Sequence, residues 1–490
     1  MRERLWKAWI IISLVFLSLP IISFDAAAAG SGADETDANR EAEDILEKNT
    51  LARFYDPVEF RGEILEGLLG KKLSHLRLYS YVDESFRQVP YQIDEWTEDG
   101  FMVLDQGPEQ NGELANGILD GQDMLVFMAR DAGDRVSRDL RPQGTDHGIE
   151  IEVLDPATGG KGWCYLLHFP ESAPECSFPI RATLDDTEEI TSKGSTYRMV
   201  GTNFTSGDRV YKTFIHRNVW VTPEGGGNGK NFIDVSKFRI ETRLLFGLLR
   251  IRLDESNFFG EVSKQKKGPV RSVCRQWFGF KLPLRLHHLK TPKLYVDAYV
   301  YDTMILVGVT TKMPFNPGYV VTDFSLSIGY DLHDLDGYGM RWYNSNNREG
   351  FLADGITSPL EAEYDNSSDS WRCIVGPNGW MMHASIWDKE YFEQADIKVH
   401  YRDDLESYSP PEYYPGDLGH YHTISTVKSL EPREYKFQMD WYWPYNFYDP
   451  DGVRLDIIDQ IVAMKDQPLA IKVRSRRVTN NGPSVTPVAP

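Results

Sequence analysis

The chain has 490 residues, of which 53 are Lys or Arg and 73 are Asp or Glu, so its formal net charge at pH 7 is −20. Hydrophobic residues make up 41% and aromatic residues 12%, too many for a disordered chain and enough for two or three domains. The acidic balance argues against a nucleic-acid binder and against adhesion to an anionic membrane surface, because both need clustered basic side chains.

The first 29 residues have the pattern of a secretory signal peptide. A basic start ending at Lys7 is followed by an apolar stretch, Trp9 to Phe24, and by the small residues Ala26 to Ala29. The apolar stretch contains Pro20 and is shorter than the roughly 20 residues that a membrane-spanning helix needs. We therefore expect residues 1–29 to be cleaved and the mature protein to be periplasmic or secreted, without a membrane span.

Residues 30–49 are polar and acidic and are typical of a linker. Alternating apolar and polar positions follow, which is the pattern of half-buried strands, and they predict a small β domain over residues 50–180. The runs that carry this prediction are 75–82, 89–94, 124–128, 149–154 and 163–169.

The range 190–475 has even more strand patterns. Runs 294–301 and 304–310 flank Asp302 and Thr303, which predicts a tight hairpin, and residues 435–443 form a long aromatic strand. The only sizeable helix expected is 453–466. Strands without intervening helices favour an all-β, antiparallel fold, which we take to be a large supersandwich after a small β-sandwich domain. Residues 479–490 have the composition of a disordered tail.

The chain has four cysteines, at positions 164, 176, 274 and 373. In an oxidising compartment they could form two disulfides, for which a local Cys164–Cys176 pair and a long-range Cys274–Cys373 pair are the simplest arrangement. Four buried free thiols are the alternative. The lack of a C-x-x-C pair argues against thioredoxin-like redox chemistry.

Three short motifs resemble known exported proteins. The run Gln88 to Asp94, together with Asp120 to Phe127, resembles the opening of exported proteins of the uncharacterised DUF4861 type. The segment Gly268 to Arg275 is similar to a strand of those proteins and of other galactose-mutarotase-like supersandwiches. The run Leu430 to Phe437 is similar to the closing strands of those supersandwiches. The resemblance implies a sandwich fold and a carbohydrate-related role, and it supplies no catalytic residue by itself.

The histidines are the first candidate site. His420 and His422 are two residues apart, so on a strand their side chains point to the same face, as paired ligands or an acid/base pair would. A zinc or copper site could be built from this pair and a distant third ligand. By analogy with proton transfer in mutarotase-like folds, His420, His422 and Asp440 are candidate catalytic residues. A plain polar surface is the alternative.

An acidic loop is the second candidate. Asp331, Asp334 and Asp336 are hard oxygen donors in a segment with two glycines, which makes calcium a candidate cofactor. The spacing does not fit an EF-hand, and an acidic surface turn between two strands is the competing interpretation.

Aromatic residues near the C-terminus are the third candidate. Alternation along residues 435–443 assigns the odd-numbered side chains to a core face. Tyr442, Tyr445 and Tyr448 then remain as candidate ligand-binding residues, since aromatic rings stack on sugars.

The sequence therefore favours an exported protein that recognises, or also processes, a glycan or another polar ligand on a concave β-sheet. A neutral sugar is favoured because a strongly acidic surface repels acidic sugars unless calcium bridges them. The competing hypothesis is a non-catalytic protein that binds a partner in a periplasmic or outer-membrane assembly. A G-x-S-x-G motif and a phosphate-binding P-loop are both absent from the sequence, so catalysis by general acid/base groups is the expected type.

Overall fold

The computed structural model describes the chain in several stretches. These are residues 47–138, 140–206, 209–244, 248–281, 294–312, 321–333, 337, 339–407, 416–428, 431–445, 448–449, 452–477 and 484–485. The expected signal peptide, residues 30–46 of the linker, most of the tail, Asp334 and Asp336 lie outside them.

The N-terminal part of the described chain is built of short strands. They are β1 (Pro57–Arg61), β2 (Leu76–Val82), β3 (Ser85–Gln88), β4 (Tyr91–Asp94), β5 (Met124–Met128), β6 (Arg141–Pro142), β7 (His147–Leu154) and β8 (Lys161–His168). The strands predicted between residues 75 and 169 are confirmed, with small differences at their ends.

The remaining strands range from two to thirteen residues. They are β9 (Thr183–Asp185), β10 (Thr191–Lys193), β11 (Tyr197–Ser206), β12 (Arg209–Val221), β13 (Ile233–Leu244), β14 (Leu249–Leu253), β15 (Phe258–Lys266), β16 (Ser272–Phe280), β17 (Leu294–Val300), β18 (Met304–Lys312), β19 (Val321–Leu332), β20 (Arg341–Asn344), β21 (Phe351–Leu352), β22 (Trp371–Gly376), β23 (Gly379–Ile386), β24 (Asp396–Asp404), β25 (Asp417–Val427), β26 (Glu434–Tyr442), β27 (Tyr448–Asp449), β28 (Gly452–Val453), β29 (Ala470–Arg477) and β30 (Ser484–Val485).

Three α-helices occur in the described residues: α1 (Pro359–Ala362), α2 (Lys389–Gln394) and α3 (Leu455–Asp466). The predicted helix over 453–466 is confirmed as α3. The predicted tight hairpin is also confirmed, since β17 and β18 pair antiparallel around Asp302 and Thr303. The fold is all-β, as expected from the sequence.

Two large sheets form the main body. One has nine strands in the order β15-β16-β17-β18-β26-β23-β22-β20-β21, and the other has five in the order β14-β13-β19-β25-β24. Their facing side chains share one core, in which the Trp342 ring of the larger sheet stacks between Tyr330 and Tyr421 of the smaller one, at 6.1 and 4.7 Å. This is the packing of a sandwich.

The other face of the nine-stranded sheet is covered as well. Met304 and Tyr442 of that sheet share a second core with Ile457 and Ile461 of α3 and with Trp96 of the N-terminal part. A strand in the middle of this sheet, such as β26, therefore has no free face.

A second five-stranded sheet, in the order β29-β7-β8-β2-β3, and a three-stranded sheet, β1-β5-β4, build the N-terminal part. β29 pairs with β7 along its full length, Ala470 opposite Leu154 through Arg477 opposite His147. The chain thus returns to its N-terminal part, although residues 470–475 fall in the range assigned to the larger domain from the sequence.

The expectation of disulfides is wrong, because all four cysteines are free thiols. Cys274 lies on β16 and Cys373 on β22, five strands apart in the same sheet. With neighbouring strands about 4.8 Å apart, that separation is far beyond the reach of a disulfide. Cys164 is buried on β8, whereas Cys176 is partly exposed beyond it.

None of the helices in the described part of the chain is long and apolar enough to cross a membrane.

Candidate functional site

Three histidines meet on one face of the sheet that contains β24 and β25. His420 and His422 alternate with Tyr421, which is fully buried in the core between the two large sheets. The two histidines therefore lie on the opposite face, as the sequence spacing predicts. His400 of β24 pairs with His422, and their rings stack at 4.8 Å.

A chain of hydrogen bonds links these histidines to a carboxylate. His420 Nδ1 is 3.1 Å from Asp417 Oδ1, and His422 Nδ1 is 3.0 Å from His420 Nε2. A carboxylate only accepts, so His420 donates from Nδ1 and accepts at Nε2. His422 then donates from Nδ1, which leaves its Nε2 as an acceptor. That atom is buried and has no hydrogen-bond partner among the described residues.

Basic side chains flank the carboxylate end of this chain. Lys237 Nζ lies 2.6 Å from Asp331 Oδ2 and 3.7 Å from Asp417 Oδ1, and all three side chains are buried. Arg402 Nη1 is 3.2 Å from Asp417 Oδ2, and its side chain is exposed. Both cations lie close enough to balance the charge of the Asp417 carboxylate, which accepts the hydrogen bond from His420. Arg402 marks the side on which the cluster meets solvent.

The histidines are held neutral at pH 7. Burial lowers the pKa of His420 to about 4, although its hydrogen bond to Asp417 works in the opposite direction. Burial also lowers the pKa of His422 well below its usual range, helped by the neighbouring His420, and it lowers the pKa of His400. Neutral imidazoles can pass a proton along the chain from Nε2 of His422 towards Asp417.

A glycine makes room for this cluster. Gly329 of β19 pairs with His422 of β25, and a Cβ placed on it would lie only 2.1 Å from the Cβ of His422. A side chain at this position would push His422 away from the sheet or force the two strands apart. The absence of a side chain at residue 329 is thus part of the site.

The structure does not bring Asp440 to the histidine pair. It lies on β26 of the nine-stranded sheet, whereas both histidines lie on β25 of the facing sheet. Its Oδ2 accepts from Gln438 at 2.7 Å and Tyr442 at 3.2 Å, and burial raises its pKa to about 7. The acid that contacts His420 is Asp417, three residues earlier in the chain.

Of the aromatic candidates, the two whose side chains are described do not lie together on an open surface. Tyr442 is buried in the core under α3, because β26 is covered on both faces. Tyr445 is half-buried and packs edge-on against Phe54 at 6.0 Å. Tyr448 begins β27, and its side chain lies outside the described part of the structure. The proposed ligand role of Tyr442 is therefore wrong.

The calcium candidates have a different outcome. Asp331 is fully buried on β19, where the ammonium group of Lys237 balances its charge, so it is not a residue of a surface turn. Asp334 and Asp336 lie outside the described residues. Within the part that is described, no group of three or more His, Cys, Asp or Glu side chains has an arrangement that could hold a metal ion.

Sequence reasoning missed three members of the cluster. Lys237, His400 and Asp417 lie on three different strands, β13, β24 and β25, and only the pairing of these strands with one another brings them together. The spacing Asp417 to His420 gave no signal, because in a regular strand residues three apart face opposite sides. A β-bulge between β24 and β25 and the positive φ of Gly419 (52°) change the alternation there.

Two small cavities, each of about 10 Å³, lie outside the histidine cluster. One borders β7 and β29 in the N-terminal sheet, and the other lies near Arg275 and Asp297. A ligand at the histidine cluster would therefore bind to the sheet face and not inside either cavity.

Comparisons with known proteins give no family. No family model matches the chain, and no curated protein matches it. Among solved structures, the Slr1438 protein from Synechocystis sp. PCC 6803 is 10% identical, with a TM-score of 0.29, covering 55% of this chain and 99% of that one. The protein HI1317 is 8% identical, with a TM-score of 0.24, covering 53% and 99%. These similarities are too low to support a function.

Proposed function

We propose that this is an exported protein that binds a glycan or another polar ligand at the histidine-bearing face of the sheet β14-β13-β19-β25-β24, and that it transfers protons there. The observation that carries the proposal is the hydrogen-bonded chain Asp417–His420–His422, which ends at a buried imidazole nitrogen without a partner. Export is proposed from the signal-like pattern of residues 1–29.

In this proposal His422 is the general base. A hydroxyl or C–H group of the ligand that reaches Nε2 would lose its proton to an imidazole whose other nitrogen already donates to His420. Asp417 is a positioning residue, because it fixes the tautomer of His420 and stabilises the positive charge that forms on the chain. The exposed guanidinium of Arg402 can hold a polar group of the ligand beside it.

The test uses the mature chain, residues 30–490, with a glycan array for binding and with pools of neutral and acidic oligosaccharides in D₂O for proton transfer. We expect binding to one glycan class, and mass spectrometry should detect products or deuterium in the bound sugar. His422→Gln should keep the binding but lose the product or the label. His75→Gln, a half-buried histidine in the N-terminal part, is the matched control and should behave as wild type. Equal turnover by the His422 variant and wild type would refute the proposed base.

A second candidate function is partner binding without catalysis. It is favoured by the exposed guanidinium of Arg402, which gives an acidic partner a cationic contact on this face. If no glycan binds and a periplasmic protein is retained by the wild type but not by Arg402→Glu, the non-catalytic alternative is the better one.

A further inference from the structure

Between residues 325 and 329, strand β19 carries only small residues on the face that bears the histidines. Gly329 is opposite His422 of β25, and alternation puts Ser327 and Ser325 on the same side of the strand. Larger side chains of β19, such as Tyr330, point to the core on the other side. The three small residues therefore form the floor of a shallow trough about 13 Å long, since a strand rises about 3.3 Å per residue.

Longer side chains of the neighbouring strands form the two walls of this trough. On one side, Arg239 and Glu241 of β13 are opposite the two serines. On the other side, Ile424 and Thr426 of β25 are opposite them. Both serines are half-buried between these walls, so solvent reaches the floor. A ligand that lies along β19 would contact both walls at once.

The trough is closed at one end and open at the other. Beyond His422, the next side chains on this face, those of His420 and Asp331, belong to residues that are no more than 2% exposed. At the opposite end, Arg252 lies in the same row across the sheet as Ser325 and is exposed. A chain-like ligand can therefore enter from the Ser325 end and cannot continue past His422.

The closed end holds a polar atom that points into the trough. Nδ1 of His422 is directed at His420, 3.0 Å away, so Nε2 on the far side of the ring is directed away from His420 and towards the serines. Nε2 is buried and has no hydrogen-bond partner among the described residues. Buried polar atoms normally have a partner, and a polar group of a ligand that ends here would supply it.

Charged side chains along the walls are paired with one another. Glu241 accepts a hydrogen bond from Arg250 and lies 2.7 Å from Arg252, and Lys398 of β24 lies 3.7 Å from Asp396. Charges that are already paired attract a further ion only weakly, but they still offer donors and acceptors to hydroxyl groups, which do both. The walls therefore fit a neutral sugar better than an acidic one.

We propose that the trough binds one end of a neutral, linear oligosaccharide, which lies along β19 with its terminal sugar at Nε2 of His422. The inference rests on the proposed function, because it takes the occupant of this face to be a glycan. It adds the charge class of that glycan, its direction along the sheet and the recognition of a chain end. The protein then acts on the ends of glycan chains and not on their interior.

The binding experiment presents linear gluco-, xylo-, manno- and galacto-oligosaccharides and oligouronates to the mature chain. Each oligosaccharide is immobilised in two ways, through its reducing end and through its non-reducing end. We expect one neutral class to bind in one of the two orientations only, with an affinity that rises with chain length and levels off when the trough is filled. Equal binding in both orientations, or binding of oligouronates alone, would overturn the inference.

Two variants locate the ligand. Ser327→Trp places an indole on the floor of the trough and should weaken binding by about tenfold or more. The imidazole NMR signals of His420 and His422 should stay at their wild-type positions. Thr183→Trp, an exposed strand position in another sheet, is the matched control and should bind as wild type.

The second variant covers the case in which Ser327→Trp does not fold. Ser325→Tyr, at the open end, should weaken the binding of long chains more than that of short ones. Wild-type binding by the folded Ser327 variant, or an equal affinity of the Ser325 variant for all lengths, would refute the trough. Loss of product in His422→Gln would still support the proposed base in that case, so the two proposals can fail separately.

Discussion

At the scale of single residues, burial has opposite effects on acids and bases in this protein. The pKa of His420 falls to about 4 and that of Asp440 rises to about 7, because a low-dielectric interior disfavours whichever form is charged. At pH 7 His420 is therefore neutral, and Asp440 is at the midpoint between its protonated and ionised forms. The tautomer of His420 is fixed by its hydrogen bond to the neighbouring carboxylate of Asp417. Asp440 has no such contact with the histidines, so the proposed mechanism uses His420 and not Asp440.

Asp440→Asn should stabilise the protein in a pH-dependent way. The folded pKa of Asp440 is raised from 3.8 to about 7, so the wild-type carboxyl favours folding least above pH 7, where it is ionised in the core. As pH rises from 4 to about 8, urea denaturation should show the Asn variant gaining stability over wild type by up to about 4 kcal/mol, with no further change at higher pH.

Asp456→Asn on the exposed face of α3 is the control for this series. The hydrogen bonds that Arg454 donates to Asp456 lower the pKa of this carboxyl. The wild type should therefore gain a little stability over the Asp456→Asn variant as pH rises, which is the opposite of the trend expected for Asp440→Asn. A difference between wild type and Asp440→Asn that stays constant from pH 4 to 8 would contradict the assignment of a neutral buried carboxyl.

At the scale of secondary structure elements, strand register builds the histidine cluster. β24, β25, β19 and β13 are neighbours in one sheet, and their register sets His400 opposite His422 and Gly329 opposite His422. A shift of one residue in either pairing would move the histidines into the aromatic core. The stacked core residues on the other face, Tyr330 and Tyr421, therefore hold the site in register.

Gly329→Ala tests this dependence. The new methyl group would lie 2.1 Å from the Cβ of His422, so we expect a loss of unfolding free energy of about 1–3 kcal/mol and changed His420 and His422 imidazole signals in NMR spectra. Gly121→Ala is the control, since its nearest contact would be an ordinary 3.7 Å, to Glu63. Wild-type stability and spectra in the Gly329 variant would contradict the role given to this glycine.

At the scale of the whole molecule, one buried network joins the N-terminal part to the nine-stranded sheet. Arg271, which precedes β16, donates to Asp94 of β4 at 2.8 and 3.1 Å and to Glu59 of β1 at 2.7 Å. The Gln92 side chain accepts from the backbone of Val270 and Arg271 at 3.2 and 3.0 Å. Two of the sequence motifs quoted above thus meet here, as an interface between the two parts.

Arg271→Met should uncouple the two parts. It leaves the buried carboxylate of Asp94 with Lys266 at 3.1 Å as its remaining ion-pair partner, and removing one member of such a network costs about 3 kcal/mol or more. Calorimetry should then resolve two unfolding transitions, and proteolysis should cut between the parts. Arg275→Met removes the Arg275–Asp297 pair, which lies within the nine-stranded sheet, and should lower Tm without splitting the transition. A single transition in both variants would contradict the coupling.

The sequence by itself determined the all-β class, the positions of the eight strand runs named from it, the hairpin at Asp302 and Thr303, and the shared face of His420 and His422. These features depend on period-two alternation and turn residues, which are local properties of the chain. Only the tertiary structure decided which acid contacts His420, that Tyr442 is buried, and that all four cysteines are free thiols. Each of these depends on which strands become neighbours and on what covers a sheet face, and such long-range contacts leave no local pattern in the sequence.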